Sequence, residues 1–154
     1  MVPNHILVPT DLSAGAEQAL DYACELARPL GATIHLLNVI SIPSLGVPEL
    51  GMALTATMID QLVVDNQSAI DALAKARPSA QLGHVLVKTG DARDTINQTA
   101  EELGIDLIVM ATHGRSGLSR ALLGSVAETV VRSAPCAVLT VRLREARDTA
   151  ADPA

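Results

Sequence analysis

The sequence predicts an α/β protein whose single parallel sheet is covered by helices on both faces. Short, nearly uninterrupted apolar runs rich in Val, Ile and Leu recur along the chain, as is typical of strands buried on both faces. They alternate with segments whose apolar residues recur at the spacing of an amphipathic helix. The chain has 154 residues, so we expect one domain with an aliphatic core, because it holds no Trp, no Phe and one Tyr.

The first part of the chain makes up one strand–helix–strand unit. We expect a strand over His5–Pro9, a helix over Ala14–Leu30 and a second strand over Ala32–Ile40. Ser13 is placed to cap the start of this helix, and Gly31 is placed to end it. Such a unit implies two parallel strands joined by a right-handed crossover.

A long loop and a long helix follow. The segment Ser41–Met52 is rich in proline and glycine, and a loop of this length is either functional, mobile or a tolerated insertion. The helix is expected over roughly Ala53–Ala76, with Met58 and Leu62 in an apolar stripe that faces the core.

Two further strands are expected at Gln81–Lys88 and Ile105–Met110, separated by a helix that Asp91 caps and Gly104 ends.

The last elements are a helix over Ser125–Arg132 and a strand over Cys136–Val141, with Pro135 between them. We expect the domain to span residues 1–142 and residues 143–154 to form a flexible tail.

The composition excludes several classes of function. The net charge is −6 and the isoelectric point about 5.0, so the chain has no basic surface suited to nucleic acid or an anionic membrane. Cys24 and Cys136 are too few and too far apart for a metal cluster or a disulfide scaffold, and we expect buried, reduced thiols. No signal peptide or membrane-spanning run is recognisable, which predicts a soluble, cytoplasmic protein.

The loop after the Ile105–Met110 strand is the strongest candidate for an anion site. Residues 111–117 read ATHGRSG, and Gly124 and Ser125 then open the last helix. Backbone N–H groups and the positive end of the helix dipole meet at a helix start, and glycine lets a ligand approach the backbone closely. The segment is not a Walker motif, because no lysine follows the glycines.

The residues of this segment also have explanations that need no ligand. Ser125 and Glu128 have the spacing of a capping box, and Gly124 is compatible with a simple turn. Arg115 and Arg120 are compatible with solvated surface charges.

Asp11 is the candidate polar residue at another strand end. It follows the first strand at the carboxyl edge of the sheet, where open α/β sheets bind their ligands. A carboxylate there can accept a hydrogen bond from a ribose hydroxyl or an adenine amine, or help to hold a metal. The alternative is that Asp11 caps the first helix, alone or with Ser13.

The segment around Gly114 resembles the nucleotide-binding signature of the universal stress protein family, G-x2-G-x9-G-[ST]. Gly114, the nine residues after it, Gly124 and Ser125 match the second and third elements. Ala111 stands in place of the first glycine. The Pro-Thr-Asp sequence that ends at Asp11 also matches the family pattern, and the resemblance covers nearly the whole chain.

The resemblance implies a doubly wound, Rossmann-like sheet with strand order 3-2-1-4-5. In that order the first and fourth strands are neighbours at a topological switch point, so that Asp11 and the loop 111–117 meet in one crevice. The family further implies an ATP-binding protein that acts as a stress-response switch. The site residues that it implies are Pro9, Thr10, Asp11, Val39, Met110, Ala111, His113, Gly114, Arg115, Gly124, Ser125 and Val126.

Within this implied site, Asp11 and the backbone near Val39 hold the adenosine, while Met110 and Ala111 lie near the ribose. The glycines, Arg115 and the start of the last helix surround the phosphates, together with Mg²⁺ or Mn²⁺ whose ligands the phosphates mostly supply. His113 is either a donor to a phosphate or a solvated, turn-stabilising residue.

The sequence contains no recognisable catalytic set, so we expect binding with slow ATP hydrolysis at most. One alternative is an ATP pyrophosphatase-type or adenylyl-transfer enzyme, but such enzymes have an SGGxDS loop where this chain reads TDLSAGAEQ. A second is a family member that has lost nucleotide binding, which Ala111 favours, and that acts as a dimeric interaction module. The resemblance also implies a homodimer paired through Cys136–Val141, and ATP-dependent movement of the loop 41–52 that an unidentified protein partner recognises.

Overall fold

A computed structural model describes residues 2–41, 51–113 and 123–142, with the backbone alone at 51–55. Its elements are β1 (His5–Pro9), α1 (Ala14–Leu30), β2 (Thr33–Ile40), α2 (Gly51–Lys75), β3 (Leu82–Thr89), α3 (Ala92–Glu102), β4 (Leu107–Ala111), α4 (Ser125–Ser133) and β5 (Ala137–Val141). The predicted alternation of strands and helices is confirmed. Three predictions concern residues that the structure does not describe: most of the long loop (42–50), the glycine-containing loop (114–122) and the tail (143–154).

The strands form one parallel sheet in the order β3-β2-β1-β4-β5, as predicted. The central strand is β1, where Ile6 pairs with Ile34 of β2 on one side and with Leu107 of β4 on the other. The chain leaves β1 toward β2 and leaves β4 toward β5, in opposite directions. The boundary between β1 and β4 is therefore the topological switch point of the sheet.

Successive residues of β1 point to opposite faces of the sheet, and helices cover both. Ile6 and Val8 belong to a buried cluster with residues of α1 and α2, whereas Leu7 belongs to a cluster with residues of α3 and α4. All three side chains are fully buried. An aliphatic core on both faces of a parallel sheet explains why the chain does without Trp and Phe.

The predicted ends of α1 and α3 are confirmed. Ser13 caps α1 by accepting a hydrogen bond from Ala16 N–H, and Gly31 ends it with φ 64°. Asp91 caps α3 by accepting hydrogen bonds from two N–H groups of its first turn, and Gly104 follows α3 with φ 59°. Both glycines adopt the left-handed conformation that other residues rarely tolerate.

The capping-box interpretation of Ser125 is wrong. Gly124 occupies the N-cap position of α4, and Ser125 is already the first helical residue. Glu128 instead pairs with Arg132 at 3.0 Å along the exposed face of the helix. Within the described residues, no side chain caps the start of α4.

Several element boundaries differ by one or two residues from those predicted. The largest shift at a strand start is in β4, because Ile105 N–H still bonds to the Ala100 carbonyl at the end of α3. At the other end β4 includes Ala111, which pairs with Val141. Helix α2 starts at Gly51 rather than Ala53.

Two expectations about burial are also wrong. Met58 and Leu62 are 65% and 46% exposed, because α2 packs on the sheet through its C-terminal half, where Ile70 is fully buried. The free thiols of Cys24 and Cys136 are half-buried rather than buried, and burial raises the pKa of both. None of the described helices is long and apolar enough to cross a membrane.

Candidate functional site

A cavity of about 210 Å³ lies at the carboxyl ends of β1 and β4. It opens at the switch point of the sheet, where doubly wound proteins bind their ligands. Its walls come from the β1–α1 turn, β2, α3 and the β4–α4 segment. The lining residues are Pro9, Thr10, Asp11, Leu37, Val39, Ala92, Ile96, Met110, Ala111, Thr112, His113, Gly124, Ser125, Val126 and Ala127.

The structure brings the described residues of the predicted site together around this one cavity. Gly114 and Arg115 lie outside the described residues. Sequence reasoning missed the lining residues Leu37, Ala92, Ile96, Thr112 and Ala127. The sequence does indicate that Ala92 and Ile96 belong together, because residues four apart in a helix lie on the same face.

The β1–α1 turn is held in an unusual backbone conformation. Thr10 is buried, its N–H donates to the Leu37 carbonyl at 2.8 Å, and its Oγ1 accepts from Leu12 N–H at 3.0 Å. Leu12 has φ 65°, which costs a residue with a β-carbon roughly 1–2 kcal/mol. The turn is therefore strained locally and held in place by its hydrogen bonds.

Asp11 lines the cavity and also supports the start of α1. Its Oδ1 accepts hydrogen bonds from the Ser13 N–H at 3.0 Å and from the Ser13 hydroxyl. Ser13, not Asp11, is the N-cap residue. The carboxylate thus orients the capping serine while it remains part of the cavity wall.

Asn38 is a residue beside the site that sequence reasoning missed. Its Nδ2 donates to the Thr10 carbonyl at 2.8 Å, in a buried position. Its Oδ1 is buried and has no hydrogen-bond partner among the described residues. A signal was present, since Asn38 is a polar residue inside the apolar run of β2.

Gly124 brings the start of α4 into close contact with the end of β4. Its N–H donates to the Thr112 carbonyl at 2.7 Å. A β-carbon at this position would lie 3.0 Å from the same carbonyl oxygen, which is tighter than ordinary contacts. Because φ is −60°, space rather than backbone conformation favours glycine here.

The start of α4 forms a positively polarised wall of the cavity. Residues 125–127 line the cavity, and Glu128 N–H makes the first helical hydrogen bond, to the Gly124 carbonyl at 2.9 Å. The N–H groups before it have no acceptor within the helix. Such an end, with the positive pole of the helix dipole, favours an anion.

His113 lines the cavity, and one nitrogen of its ring is buried and unpaired within the described residues. Its Nδ1 lies 2.9 Å from the Thr112 hydroxyl oxygen, and Thr112 N–H donates to the Val141 carbonyl at 3.0 Å. The His113 Nε2 is buried without a partner in the part of the chain that the structure describes. A buried nitrogen without a partner is rare in native structures, so this one is a candidate for a hydrogen bond to a ligand.

Ala111 replaces the expected glycine without backbone strain. It belongs to β4, and Leu12 is the one non-glycine residue with positive φ among the described residues. Ala111 is one of the residues that line the cavity. The described residues contain no group of three or more His, Cys, Asp or Glu that could hold a metal ion.

The fold and the cavity together define a class: doubly wound α/β proteins with a ligand-sized crevice at the switch point. A sequence model of the universal stress protein family matches residues 3–142. The chain belongs to the universal stress protein family.

Individual relatives agree with this assignment. A universal stress protein of Methanocaldococcus jannaschii is 34% identical over 142 residues, which cover 89% of this chain and 81% of the relative. Among solved structures, the universal stress protein UspA from Lactobacillus plantarum matches with a TM-score of 0.76 and 30% identity, covering 90% of this chain and 97% of that one.

Two structures of lower identity share the fold and contain adenine nucleotides. A universal stress protein family member from Arabidopsis thaliana, with AMP bound, has 22% identity and a TM-score of 0.61, over 98% of this chain and 99% of that one. A universal stress protein in complex with cAMP has 22% identity and a TM-score of 0.62, over 92% and 98%.

Proposed function

We propose that this universal stress protein binds ATP in the cavity between β1 and β4 and acts as a regulatory switch in the stress response. The observation that carries the proposal is the meeting of two segments about 100 residues apart in the sequence around one cavity. One wall offers the Asp11 carboxylate, and another offers the uncapped start of α4. These walls match the hydroxyl-bearing and the anionic parts of a nucleotide.

The nucleoside lies in the enclosed part of the cavity. Asp11 accepts a hydrogen bond from a ribose hydroxyl or the adenine amine, the backbone near Val39 meets the base, and Met110 and Ala111 flank the ribose. The cavity of about 210 Å³ is smaller than the roughly 300–1,000 Å³ of clefts that enclose a drug-sized ligand. The triphosphate therefore extends out of it, past the start of α4.

The phosphates meet the N–H groups at residues 125–127, which need an acceptor outside the helix, whereas the Gly124 N–H already donates to the Thr112 carbonyl. His113 Nε2 completes its hydrogen bonding with a phosphate oxygen, and Gly114 and Arg115 add close approach and charge. Mg²⁺ or Mn²⁺ accompanies the nucleotide, with most of its ligands from the phosphates and water.

Hydrolysis of the bound nucleotide is slow or absent. Among the described lining residues, Asp11 is the one carboxylate and it already accepts two hydrogen bonds from Ser13. That arrangement holds a carboxylate in place rather than leaving it to activate a water. The protein thus acts through its bound state, which a partner protein recognises.

A homodimer through the edge strand, Cys136–Val141, accompanies this function. The strand β5 pairs with β4 on one side and ends the sheet, so its other edge offers hydrogen-bonding groups to a second copy. A family member that binds no nucleotide would form its dimer through the same edge. Ala111, which favours that alternative, causes no backbone strain that would weaken nucleotide binding.

The first test is the ligand itself. The protein is isolated gently, denatured in acid, and the released small molecules are identified by mass. Its unfolding is then followed with ATP–Mg²⁺, AMP and cAMP, because AMP and cAMP occupy other universal stress proteins. At 100 times the Kd, a ligand raises the free energy of unfolding by about 2.7 kcal/mol. No released nucleotide and no shift at millimolar concentrations would overturn the proposal.

The second test is Asp11→Asn, with Asp91→Asn as its matched control. Both aspartates follow a strand of the sheet and accept hydrogen bonds at a helix start, but Asp91 does not line the cavity. We expect about tenfold weaker ATP binding in Asp11→Asn, since a charge-assisted hydrogen bond is lost, and little change in Asp91→Asn. Titration calorimetry measures both. Equal effects would show that Asp11 acts only at the helix start.

A further inference from the structure

Asn38 occupies a position where the sequence pattern calls for an apolar side chain. It lies in β2, is 4% exposed, and alternates with Ile34 and Leu36 on the face covered by α1 and α2. Leu37 and Val39 point to the other face and line the cavity, whereas Asn38 does not. Asn38 therefore touches no ligand in the cavity and can affect one only through another residue.

The residue through which it acts is Thr10. The Thr10 carbonyl accepts from Asn38 Nδ2 at 2.8 Å, and Thr10 N–H donates to the Leu37 carbonyl, also at 2.8 Å. The last regular pair of the two strands is Pro9 opposite Leu37. Adjacent residues of β2 thus hold both backbone polar groups of Thr10, one position beyond the end of β1.

The anchored Thr10 holds the strained turn that carries Asp11. Thr10 Oγ1 accepts from Leu12 N–H at 3.0 Å, and Leu12 keeps φ 65°. A turn with an unfavourable φ relaxes toward an ordinary conformation unless its neighbours prevent it. Relaxation here would rotate the peptide next to Asp11 and move its carboxylate relative to the cavity.

The Asn38 side chain is costly for the fold. Its Oδ1 is buried without a partner among the described residues, and such an atom loses its hydration with no hydrogen bond in return. An aliphatic residue of similar size would remove this unpaired oxygen, although it would also leave the buried Thr10 carbonyl without its side-chain donor. A residue that costs stability in this way points to a role in the site rather than in the core.

We propose that Asn38 is a positioning residue of the nucleotide site, which holds the Thr10–Leu12 turn so that Asp11 faces the ligand. This inference rests on the proposed function for its effect on ATP, but its effect on the turn can be measured without any ligand. This role explains why β2 carries the amide of Asn38 at a position that faces the apolar core and does not line the cavity.

The main variant is Asn38→Leu, with Asn97→Leu as the matched control. Asn97 has the same pattern, because its Nδ2 donates to Ser133 Oγ at 2.7 Å and its Oδ1 is buried without a partner among the described residues. It lies between α3 and α4 and does not line the cavity. We expect about tenfold weaker ATP binding in Asn38→Leu with little net change in Tm, because the unpaired Oδ1 is removed while the Thr10 carbonyl loses its donor. Asn97→Leu should leave the Kd within about twofold.

Hydrogen exchange of the ligand-free protein gives the readout that separates this inference from the proposed function. In Asn38→Leu, the amides of Leu12 and Ser13 should exchange at least about tenfold faster, while those of the central strands keep their protection. Faster exchange in a protein that binds no nucleotide would leave the positioning role intact and overturn only the proposed function. Unchanged exchange at the turn would overturn the positioning role, whatever the nucleotide does.

Asn38→Asp adds a pH readout that a merely structural role would not produce. A carboxylate has no N–H to donate to the Thr10 carbonyl, and burial beside a carbonyl raises its pKa. Lowering the pH restores an O–H donor, so the variant's Kd relative to the unmodified protein should improve toward acid. A ratio of the two Kd values that stays constant with pH would contradict the hydrogen bond to Thr10 as the cause.

Discussion

The two ends of the same sheet differ in how their polar groups are paired. At the carboxyl end, Asn38 Oδ1 and His113 Nε2 are buried without partners among the described residues, and Leu12 has a strained φ. At the amino end, polar groups meet one another. Asp106 Oδ2 accepts from the N–H groups of Asn4 and His5 at 2.8 and 3.0 Å.

Histidines connect three neighbouring strands at the amino end. His35 of β2 is 5% exposed, its Nδ1 accepts from His84 N–H of β3 at 3.1 Å, and its Nε2 lies 3.2 Å from His5 Nδ1 of β1. Because the His35 Nδ1 must accept, the proton of the neutral ring is on Nε2, which then donates to His5. Both nitrogens of the buried ring are thus satisfied.

The two ends of the sheet contribute to different properties of the protein, its stability and its ligand binding. Buried polar groups that are fully paired support a structure, whereas buried groups left unpaired cost stability unless something binds to them. The amino end of the sheet thus contributes to the folded state. The carboxyl end keeps unpaired groups at or next to the cavity: His113 lines it, and Asn38 holds the turn that carries Asp11. Changes at the two ends should therefore affect different measurements.

Gly83→Ala should produce the largest effect, and it should be on stability. A β-carbon there would lie 2.5 Å from His35 Cε1 and 2.9 Å from Thr33 Cγ2, and the paired His35 ring cannot move aside freely. We expect a loss of about 3 kcal/mol in the free energy of unfolding, measured in urea, with nucleotide affinity unchanged.

The double variant Gly83→Ala, His35→Ala tests the cause of that loss. Removing the ring removes the closest contact and leaves the one with Thr33 Cγ2, so Gly83→Ala should cost less in the His35→Ala background. An equal cost in both backgrounds would mean that the clash with His35 is not responsible.

Gly124→Ala should produce an intermediate effect, and it should be on binding. The added β-carbon would lie 3.0 Å from the Thr112 carbonyl oxygen, so the start of α4 must shift by a few tenths of an ångström relative to the end of β4. We expect about tenfold weaker ATP binding, about 1.4 kcal/mol, with a smaller change in stability. Calorimetric titration and urea unfolding measure the two quantities separately.

Ser125→Ala is the control for this change. It keeps the backbone N–H groups of α4 and removes only a hydroxyl that does not cap the helix. A smaller effect than that of Gly124→Ala would show that the backbone holds the phosphates. The opposite ranking would assign that role to the hydroxyl.

The smallest effect should be a dependence of stability on pH that arises at the amino end. Burial, together with the nearby His5 and His84, lowers the pKa of His35 below its ordinary 6.5. The folded protein therefore binds protons less readily at His35 than the unfolded chain does. This contribution to stability is complete above pH 6.5 and is lost as the pH falls through the pKa of the folded state.

His35→Gln provides the comparison, since its amide can accept from His84 N–H and donate to His5 without titrating. Urea unfolding between pH 8 and pH 5 should show a steeper loss of stability in the unmodified protein than in His35→Gln. Parallel curves would place the pH dependence in other groups.

The elements of this fold were largely predictable because their signals are local. Ser13 and Asp91 each precede an amphipathic segment, and Gly31 and Gly104 each follow one, so the helix ends could be located from the chain alone. Ser125 shows the limit of this reasoning. Its spacing to Glu128 suits a capping box, but the contact of Gly124 with Thr112 shifts the cap by one residue.

Site residues that belong to a sequence motif could be predicted, whereas those that reach the site through a tertiary contact could not. Asp11 and Gly124 follow or precede regular elements in a recognisable pattern, and both line the cavity. Asn38 was not found, because its partner Thr10 lies 28 residues away and the bond depends on the register of β1 and β2. Ile96 reaches the cavity only because α3 packs over β2.

The sequence by itself determined the class of fold, the strand–helix alternation and the caps of α1 and α3, whereas the strand order was implied by the family resemblance. The class, the alternation and the caps depend on side-chain periodicity and on interactions within a few residues, which a chain carries wherever it folds. The tertiary structure alone decided the pairing of Asn38 with Thr10 and of His35 with His5 and His84, and the space at Gly83. Each of these depends on which strands become neighbours and in what register, and that is set by burial of both faces of the sheet rather than by any local pattern.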